Sequence, residues 1–591
     1  MITGQPDAEP GGTKSGTTAS AAAPAGPAGA PQAASPPLLR PRWALPLALA
    51  SGLLLAVAFP PFGVWPLAFV SPALLVVALS GRSLRGAFTV GLVFGLAFFI
   101  LLLVWVVNLA WFAWIALAIA SALIFAVFAV AQRLLLNLRY WPLAVAGWWV
   151  AAEAFRDRWP WGGFPWGRLA MSQAGIPTQG WAAIAGAPAL TFMVALVGAT
   201  LGWLLLSACG WAGPGTSRIA RIARISRFSR FSRFSGFSRG SGRRRLLAPA
   251  LALAGAAALA VLPGALPLDP VPAGAKTAEV AAIQGNVPRE RGSLAEQLNN
   301  DSVVTLNHVT ATDKLAARVA AGQTPKPDLV IWPENSTDID PMLYPPVYEE
   351  IASAASAIGS PILIGAVLQN PDRNAGVLWL PGQGPTTIYV KRRLVPFGEY
   401  LPFRSLITQI TSLAQLLPTD FVPGDKTVVF SVGQIKLGDV ICYEVGFDDL
   451  VRSEVQAGAN LLSMQSNDAT FERVGPATAE SGQQLEMARL RAVEFDRAVV
   501  VASTTGYSAI VAPDGKLITS SGVWTQAELE ARVPLLTSDT LAERAGAGPE
   551  WAIVAATALA FLCAAAQAAA AARRRRGTRP GDGPADPADA R

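Results

Sequence analysis

Three short stretches end an apolar run on a side chain that can do chemistry: Leu329-Val330-Ile331-Trp332-Pro333-Glu334, Tyr389-Val390-Lys391 and Gly438-Asp439-Val440-Ile441-Cys442. A thiol attacks a carbonyl as the thiolate, a carboxylate can accept its proton, and a fixed ammonium favours first the thiolate and then the oxyanion. Brought to one rim of a layered α/β domain, Glu334, Lys391 and Cys442 would make a nucleophilic site. Singly, each has a plainer reading. A Cys ending an apolar strand is usually a small buried hydrophobe, Glu334 after Trp-Pro is a loop acid, and Lys391 beside Arg392 and Arg393 is a charged face.

Cysteine nucleophiles often recruit His, but the chain has one His, His308, in an amphipathic stretch between Asn307 and Val309 with no motif around it. It reads as a structural or surface residue. Of three Cys, Cys209 and Cys563 lie in apolar runs, so only Cys442 belongs to a soluble segment. An intramolecular disulfide of that segment and a Cys/His zinc site are both excluded by count.

The elements that must position these residues fall between about Ala275 and Gly546. Predicted strands are Glu279–Gln284, Leu329–Trp332, Ile362–Val367, Gly376–Leu380, Thr387–Val390, Thr427–Phe430, Asp439–Cys442, Leu461–Met464, Val499–Ser503 and Ser508–Val511. Predicted helices are Leu294–Ala321, Val347–Ile358, Asp448–Ala457 and Ala479–Phe495, with Asp448 as an N-cap and Pro513-Asp514-Gly515 as a turn. Residues 275–546 read as one α/β domain.

Around that domain the chain is not soluble in character. It has 591 residues, 52% hydrophobic and 15% charged, against roughly 25% charged for soluble domains. Eight uncharged or nearly uncharged runs are candidate spans: Trp43–Phe59, Trp65–Leu79, Ala87–Val107, Trp111–Ala131, Trp141–Ala154, Ala182–Ala208, Leu246–Pro267 and Trp551–Ala571. A bilayer core of ~30 Å needs about 20 helical residues. The second run is short, and with the Pro60-Pro61-Phe62-Gly63 turn the first two read as a hairpin.

The formal charge of +7 has one main address, ten arginines between Arg218 and Arg245, without which the chain is slightly acidic; a nucleic-acid partner loses its support. Arg40, Arg42, Arg82, Arg85, Arg133, Arg139, that linker and Arg573 to Arg576 all fall on one side of the runs, which the positive-inside rule makes cytoplasmic. The domain and the loop from Glu153 to Trp181 then lie outside, with Arg156, Arg158 and Arg168 as the discordant charges. The predicted organisation is a disordered tail at 1–39, spans one to six at 40–211, a low-complexity linker at 212–245, span seven at 246–267, the domain at 275–546, span eight at 551–571 and a basic, then disordered tail at 572–591. No removable signal peptide is seen, and the first span would serve as insertion signal. The linker's Ser-Arg-Phe repeat either lies on anionic headgroups or is a solvated, topology-enforcing charge run.

Taken together, Trp332-Pro333-Glu334, the run from Lys391 to Pro402 and Ile441-Cys442-Tyr443-Glu444 resemble the nitrilase superfamily, and the membrane flanks resemble its apolipoprotein N-acyltransferase branch. Ala58 to Gly63, Gly163-Phe164-Pro165-Trp166, Gln284-Gly285-Asn286, Ser466-Asn467-Asp468-Ala469 and Met487 to Glu494 agree. The resemblance implies an eight-span helical bundle carrying an extracytoplasmic αββα sandwich in a bacterial inner membrane, both termini cytoplasmic.

It further implies Glu334 as general base, Lys391 as stabiliser of the tetrahedral intermediate and Cys442 as nucleophile. Glu399 and Glu444 would position Lys391 and the substrate amine, with Tyr443 as a supporting residue. No cofactor or metal is implied. The implied partners are a phospholipid acyl donor and a diacylglyceryl-modified lipoprotein acceptor, for which a membrane-tethered site shortens the search to two dimensions. A membrane-tethered amidohydrolase and a non-catalytic scaffold remain the alternatives.

Overall fold

The computed structural model describes residues 38–210, 240–265, 271–288, 294–410, 419–472 and 479–576. The expectations for the N-terminal tail, for most of the arginine-rich linker and for the end of the C-terminal tail lie outside these residues. Described residues up to Ala566 form one compact unit, and those from Gln567 to Arg576 are the end of the last helix.

Six helices come first: α1 (Pro41–Val57), α2 (Leu67–Leu79), α3 (Leu84–Leu102), α4 (Trp111–Leu135), α5 (Trp141–Arg156) and α6 (Gly180–Ala208), and α7 (Gly240–Val261) leads to the domain. Each predicted apolar run coincides with a helix, including the last, α14 (Gly548–Arg576). By length and composition, five described stretches suffice to cross a membrane: Leu84–Leu102, Trp111–Leu135, Pro177–Ala208, Leu246–Ala265 and Gly548–Arg573. Arg42–Val57 and Leu67–Leu79 are shorter, and the 16-residue α5 ends in Glu153 and Arg156.

Lipid gives helices no hydrophobic reason to associate, so close backbone approach and polar contacts must do it. A Cβ on Gly91 of α3 would stand 2.4 Å from Ala129 Cβ of α4, which is why glycine is required there. Ser51 Oγ donates to the Ser71 carbonyl at 2.7 Å, closing the α1–α2 hairpin.

The domain is two six-stranded sheets. The first has β1 (Thr277–Gln284), β2 (Leu329–Ile331), β3 (Ile362–Leu368), β4 (Arg373–Leu380), β5 (Gly384–Val390) and β12 (Ala527–Pro534), in the order β12-β1-β2-β3-β4-β5. The second has β6 (Val429–Val432), β7 (Ile435–Ile441), β8 (Leu461–Ser466), β9 (Val499–Ser503), β10 (Ala509–Val511) and β11 (Leu517–Ser520), in the order β11-β10-β9-β8-β7-β6. β1, β2 and β3 run parallel, as do β7, β8 and β9.

Parallel neighbours require crossovers, which α8 (Leu294–Ala320), α9 (Pro345–Ile358), α11 (Asp448–Gln456) and α12 (Ala479–Phe495) supply, with α10 (Arg404–Ile410) and α13 (Leu541–Ala545) as short additions. The period-2 rule is visible in β1: Val280 and Ala282 enter the core shared with the second sheet, while Ala281 and Ile283 pack under α8 and α9. The result is the expected α-β-β-α layering. At Gly376 the sheets are so close that a Cβ would lie 2.6 Å from Asp439 Oδ2.

The ten predicted strands have counterparts, whereas β11 and β12 were not expected. β12 alternates charge with apolar residues, and its Glu528 and Glu530 pair with Arg318 of α8; an edge strand protected by charge does not read as an apolar run. The turn at Gly515 forms as expected, with φ +80° and its N–H donating to Ala512 O at 2.8 Å. Asp448 is not the N-cap of α11. Phe447 occupies that place with extended backbone, and the Asp448 carboxylate is taken by Arg168 and Arg491.

Candidate active site

Glu334 lies just beyond β2, Lys391 directly after β5, and Cys442 directly after β7, so both sheets contribute. Lys391 Nζ donates to Glu334 Oε1 and to Glu399 Oε1, each at 2.9 Å. Asn374 of β4 bridges the same two oxygens, at 2.6 Å and 2.8 Å. The second oxygen of Glu334 accepts the Asn467 N–H at 2.9 Å, and that of Glu399 accepts the Val395 N–H at 2.7 Å. Glu334 is therefore fixed by three donors from three elements. Glu399 contacts the Lys391 ammonium directly.

Lys391 is 1% exposed. Burial works against its charge, but Glu334 and Glu399 outweigh it and hold its pKa well above the ordinary lysine value. Burial pushes the Cys442 thiol well above its ordinary value; the Glu334 charge adds to this and the Lys391 charge opposes it. Cys442 is thus held as a thiol beside a buried ammonium and a carboxylate. Among the charges around it, that of Glu334 acts on the thiol most.

Cys442 has φ +53°, a left-handed conformation that a side chain adopts only where its surroundings enforce it. Two buried residues do so. Glu444 Oε2 accepts the Ile441 N–H at 2.9 Å and the Tyr389 hydroxyl at 2.8 Å. Its Oε1 accepts the N–H groups of Arg392 and Arg393 at 2.7 Å and 2.9 Å. None of these donors is the Lys391 ammonium, so Glu444 ties the chain following Lys391 to the turn carrying Cys442, and burial raises its pKa. Arg491 of α12 completes the turn, Nε donating to Val445 O at 2.9 Å and Nη2 to Gly446 O at 3.0 Å.

Tyr443 points to the membrane helices. Its hydroxyl donates to Gly163 O at 2.6 Å, and its ring stacks on Trp166 at 5.7 Å and 14°. The same junction is closed by Arg168, which grips Asp448 at 2.6 Å and 3.0 Å, and by Asn108 Nδ2, which donates to Phe471 O at 2.6 Å. His308 is not at the site. It is fully buried under Trp332, with Nδ1 2.7 Å from Val304 O, and burial lowers its pKa to about 4.

Sequence reasoning missed Asn374, Arg168, Arg491 and Gln484, whose Nε2 lies 3.4 Å from Cys442 Sγ. Arg491 lies within the Met487–Glu494 stretch and Arg168 stands out as a discordant charge, but Asn374 and Gln484 carry no signal beyond polarity, which many residues share.

Residues 51–200 match the apolipoprotein N-acyltransferase N-terminal domain, and residues 279–541 match the carbon-nitrogen hydrolases. The apolipoprotein N-acyltransferase of Mycolicibacterium smegmatis is 38% identical over 521 residues, covering 85% of this chain and 82% of that protein. That of Azotobacter vinelandii is 30% identical over 509 residues, covering 80% and 85%. Among solved structures, an amidase of the nitrilase superfamily from Nesterenkonia AN1 aligns over 47% of this chain and 97% of its own, at 19% identity and a TM-score of 0.34. Since a relative this similar is matched over most of its length, across the helical and the sheet regions alike, the chain belongs to the apolipoprotein N-acyltransferase family.

Proposed function

We propose that the chain moves a fatty acyl group from a membrane phospholipid, through a thioester on Cys442, to the α-amino group of the N-terminal diacylglyceryl-cysteine of a lipoprotein. The carrying observation is the buried Lys391–Glu334–Glu399 cluster beside a thiol in an enforced left-handed turn. In the first half-reaction Sγ attacks the ester carbonyl, its proton passes to Glu334, and the oxyanion is met by the Lys391 ammonium. Collapse expels the lysophospholipid alkoxide, which takes the proton from Glu334. In the second, the acceptor amine attacks the thioester, Glu334 receives its proton, and the departing sulfur takes that proton back. Glu399 keeps Lys391 charged and aimed.

The junction with the membrane helices favours lipid-borne substrates. The domain rests on the end of the bundle carrying Pro60, Leu102 to Asn108 and Gly163, while Arg82, Arg85, Arg133 and Arg139 follow α2 and α4 at the opposite ends of those helices. With eight crossings, the positive-inside rule puts the site outside and both termini in the cytoplasm. The discordant arginines of the outer loop fit this reading because each is engaged. Arg158 makes a bidentate pair with Glu550 at 2.9 Å and 2.6 Å, Arg168 holds Asp448, and Arg156 donates to Trp166 O.

The test is mass spectrometry of the full chain after incubation with phospholipid vesicles. A hydroxylamine-sensitive acyl adduct on Cys442, absent from Cys442→Ala, is expected; an adduct that persists in the variant ends the proposal. For sidedness, a Lys516→Cys variant in a chain otherwise free of cysteine presents a side chain that is 80% exposed in the native residue. It should react with a membrane-impermeant maleimide in intact spheroplasts, and reaction only after lysis would reverse the orientation.

A further inference from the structure

Cys442 Sγ has a hydrogen-bond donor outside the Glu-Lys-Cys set. Gln484 of α12, 1% exposed, directs Nε2 at the sulfur from 3.4 Å. Two further polar contacts hold the amide in the structure. Oε1 accepts the Ser466 hydroxyl at 2.9 Å, and Nε2 also donates to Glu480 Oε1, one helical turn back. Among the described residues no other hydrogen-bond donor to Sγ is found.

The side chain behind Gln484 is itself built for this. Glu480 is 2% exposed and lies against Asp468. Burial first, then the Asp468 charge, hold its carboxyl well above the usual range. Glu480 Oε1 accepts the Gln484 N–H, with the Asp468 carboxylate as its acidic neighbour. Asp468 is anchored in turn by the hydroxyls of Ser466 and Ser503. The charged or titratable groups around the sulfur are thus Glu334, Lys391, Glu480 and Asp468, with Glu472 beside the last two.

The helix bearing the amide is pinned to the membrane helices by the preceding residue. Gln483 Nε2 donates to Pro60 O at 3.2 Å and Leu102 O at 3.1 Å, and its Oε1 accepts Trp105 Nε1 at 3.3 Å.

We propose that Gln484 is a further catalytic residue, a fixed amide donor that aims the Cys442 sulfur and stabilises its thiolate, with Glu480 as the positioning residue that holds the amide in register. This rests on Cys442 being the nucleophile and adds a donor that no motif of the sequence marks. A neutral donor suits a site whose thiol is surrounded by acids: it favours the anion without supplying a proton that would quench it.

The experiment uses the full chain with Cys209 and Cys563 replaced by Ser, so that only Cys442 reports. Two readouts are taken: the pH profile of alkylation by iodoacetamide, which needs no lipid, and the rate of thioester formation with phosphatidylethanolamine–phosphatidylglycerol vesicles. In Gln484→Met, which keeps length but loses the donor, the alkylation profile should move to higher pH and thioester formation should slow about 10- to 100-fold. An unmoved profile with an unchanged rate would mean the side chain only packs, and overturns the proposal.

Glu480→Ala should also slow thioester formation, and Glu480→Gln, which keeps an acceptor oxygen for Gln484, should recover most of that loss. If Gln484→Met does not fold, this pair decides: Ala and Gln variants behaving alike overturn the positioning role. A shifted profile in Gln484→Met without any thioester in the parent chain would count against the phospholipid donor and leave the Gln484 assignment standing.

Discussion

At Lys391 one buried ammonium stands between two carboxylates, Glu334 and Glu399; at Asp448 one buried carboxylate stands between two guanidiniums, Arg168 and Arg491. The arrangements mirror each other in charge and differ in what surrounds them. Around Lys391 the surplus is negative and faces a neutral thiol, so the cluster can accept one proton and stabilise one transient anion. Around Asp448 the surplus positive charge meets Glu153, Asp157 and Glu494, and Arg491 continues into the carbonyls of the Cys442 turn.

Both assemblies cost desolvation and offset it through close ion pairs and hydrogen bonds. Being buried and ionic therefore does not distinguish a site from a clamp; what distinguishes them here is a reactive group left facing the charge.

The comparison breaks most visibly at its centre. Lys391→Met leaves two carboxylates without their cation and the oxyanion without its partner; thioester formation on Cys442 should fall about 10³-fold or more, followed by mass spectrometry. Asp448→Asn should act on the fold instead. Two buried guanidiniums lose their anion, and denaturation of the solubilised chain should show a loss of about 3–5 kcal/mol. If that variant were as stable as the parent but slow in thioester formation, the Asp448 assembly would be part of the chemistry and the distinction would fail.

Glu399→Gln is intermediate, because Glu334 still holds the ammonium. A loss of about 10- to 100-fold in rate, with little change in stability, is expected from one charge-assisted contact. The smallest effect concerns His308, a buried titratable group with no counter-ion. Its pKa is lowered from 6.5 to about 4 by burial, so the unfolded chain binds the extra proton. Stability is full above the unfolded value and declines as pH falls from there towards the folded one. Between pH 8 and pH 5 the loss attributable to this residue is about 2 kcal/mol, and His308→Gln should abolish that part of the pH dependence.

The grouping of Glu334, Lys391 and Cys442 was legible because each stands at or just past the end of an apolar strand, and strand ends are what a layered fold brings to a rim. Asn374 and Gln484 were not, since each becomes part of the site only when one sheet closes on the other or a helix docks over Cys442. Asp448 shows the limit of local rules: an Asp before a helical stretch carries the same signal whether it caps a helix or answers two arginines from elsewhere. Arg168 was noticed as a charge on the wrong side, and the partner that explains it is 280 residues away. The edge strand β12 was hidden by its acids.

Tyr443 stacked on Trp166, and the domain held between α7 and α14, bear on any attempt to cut the enzyme down. A fragment limited to the sheets would bare an aromatic ledge to water and leave Asp448 without the guanidinium contributed by the bilayer portion. It would forfeit its apolar helices and also part of the mould in which its sulfur is cast.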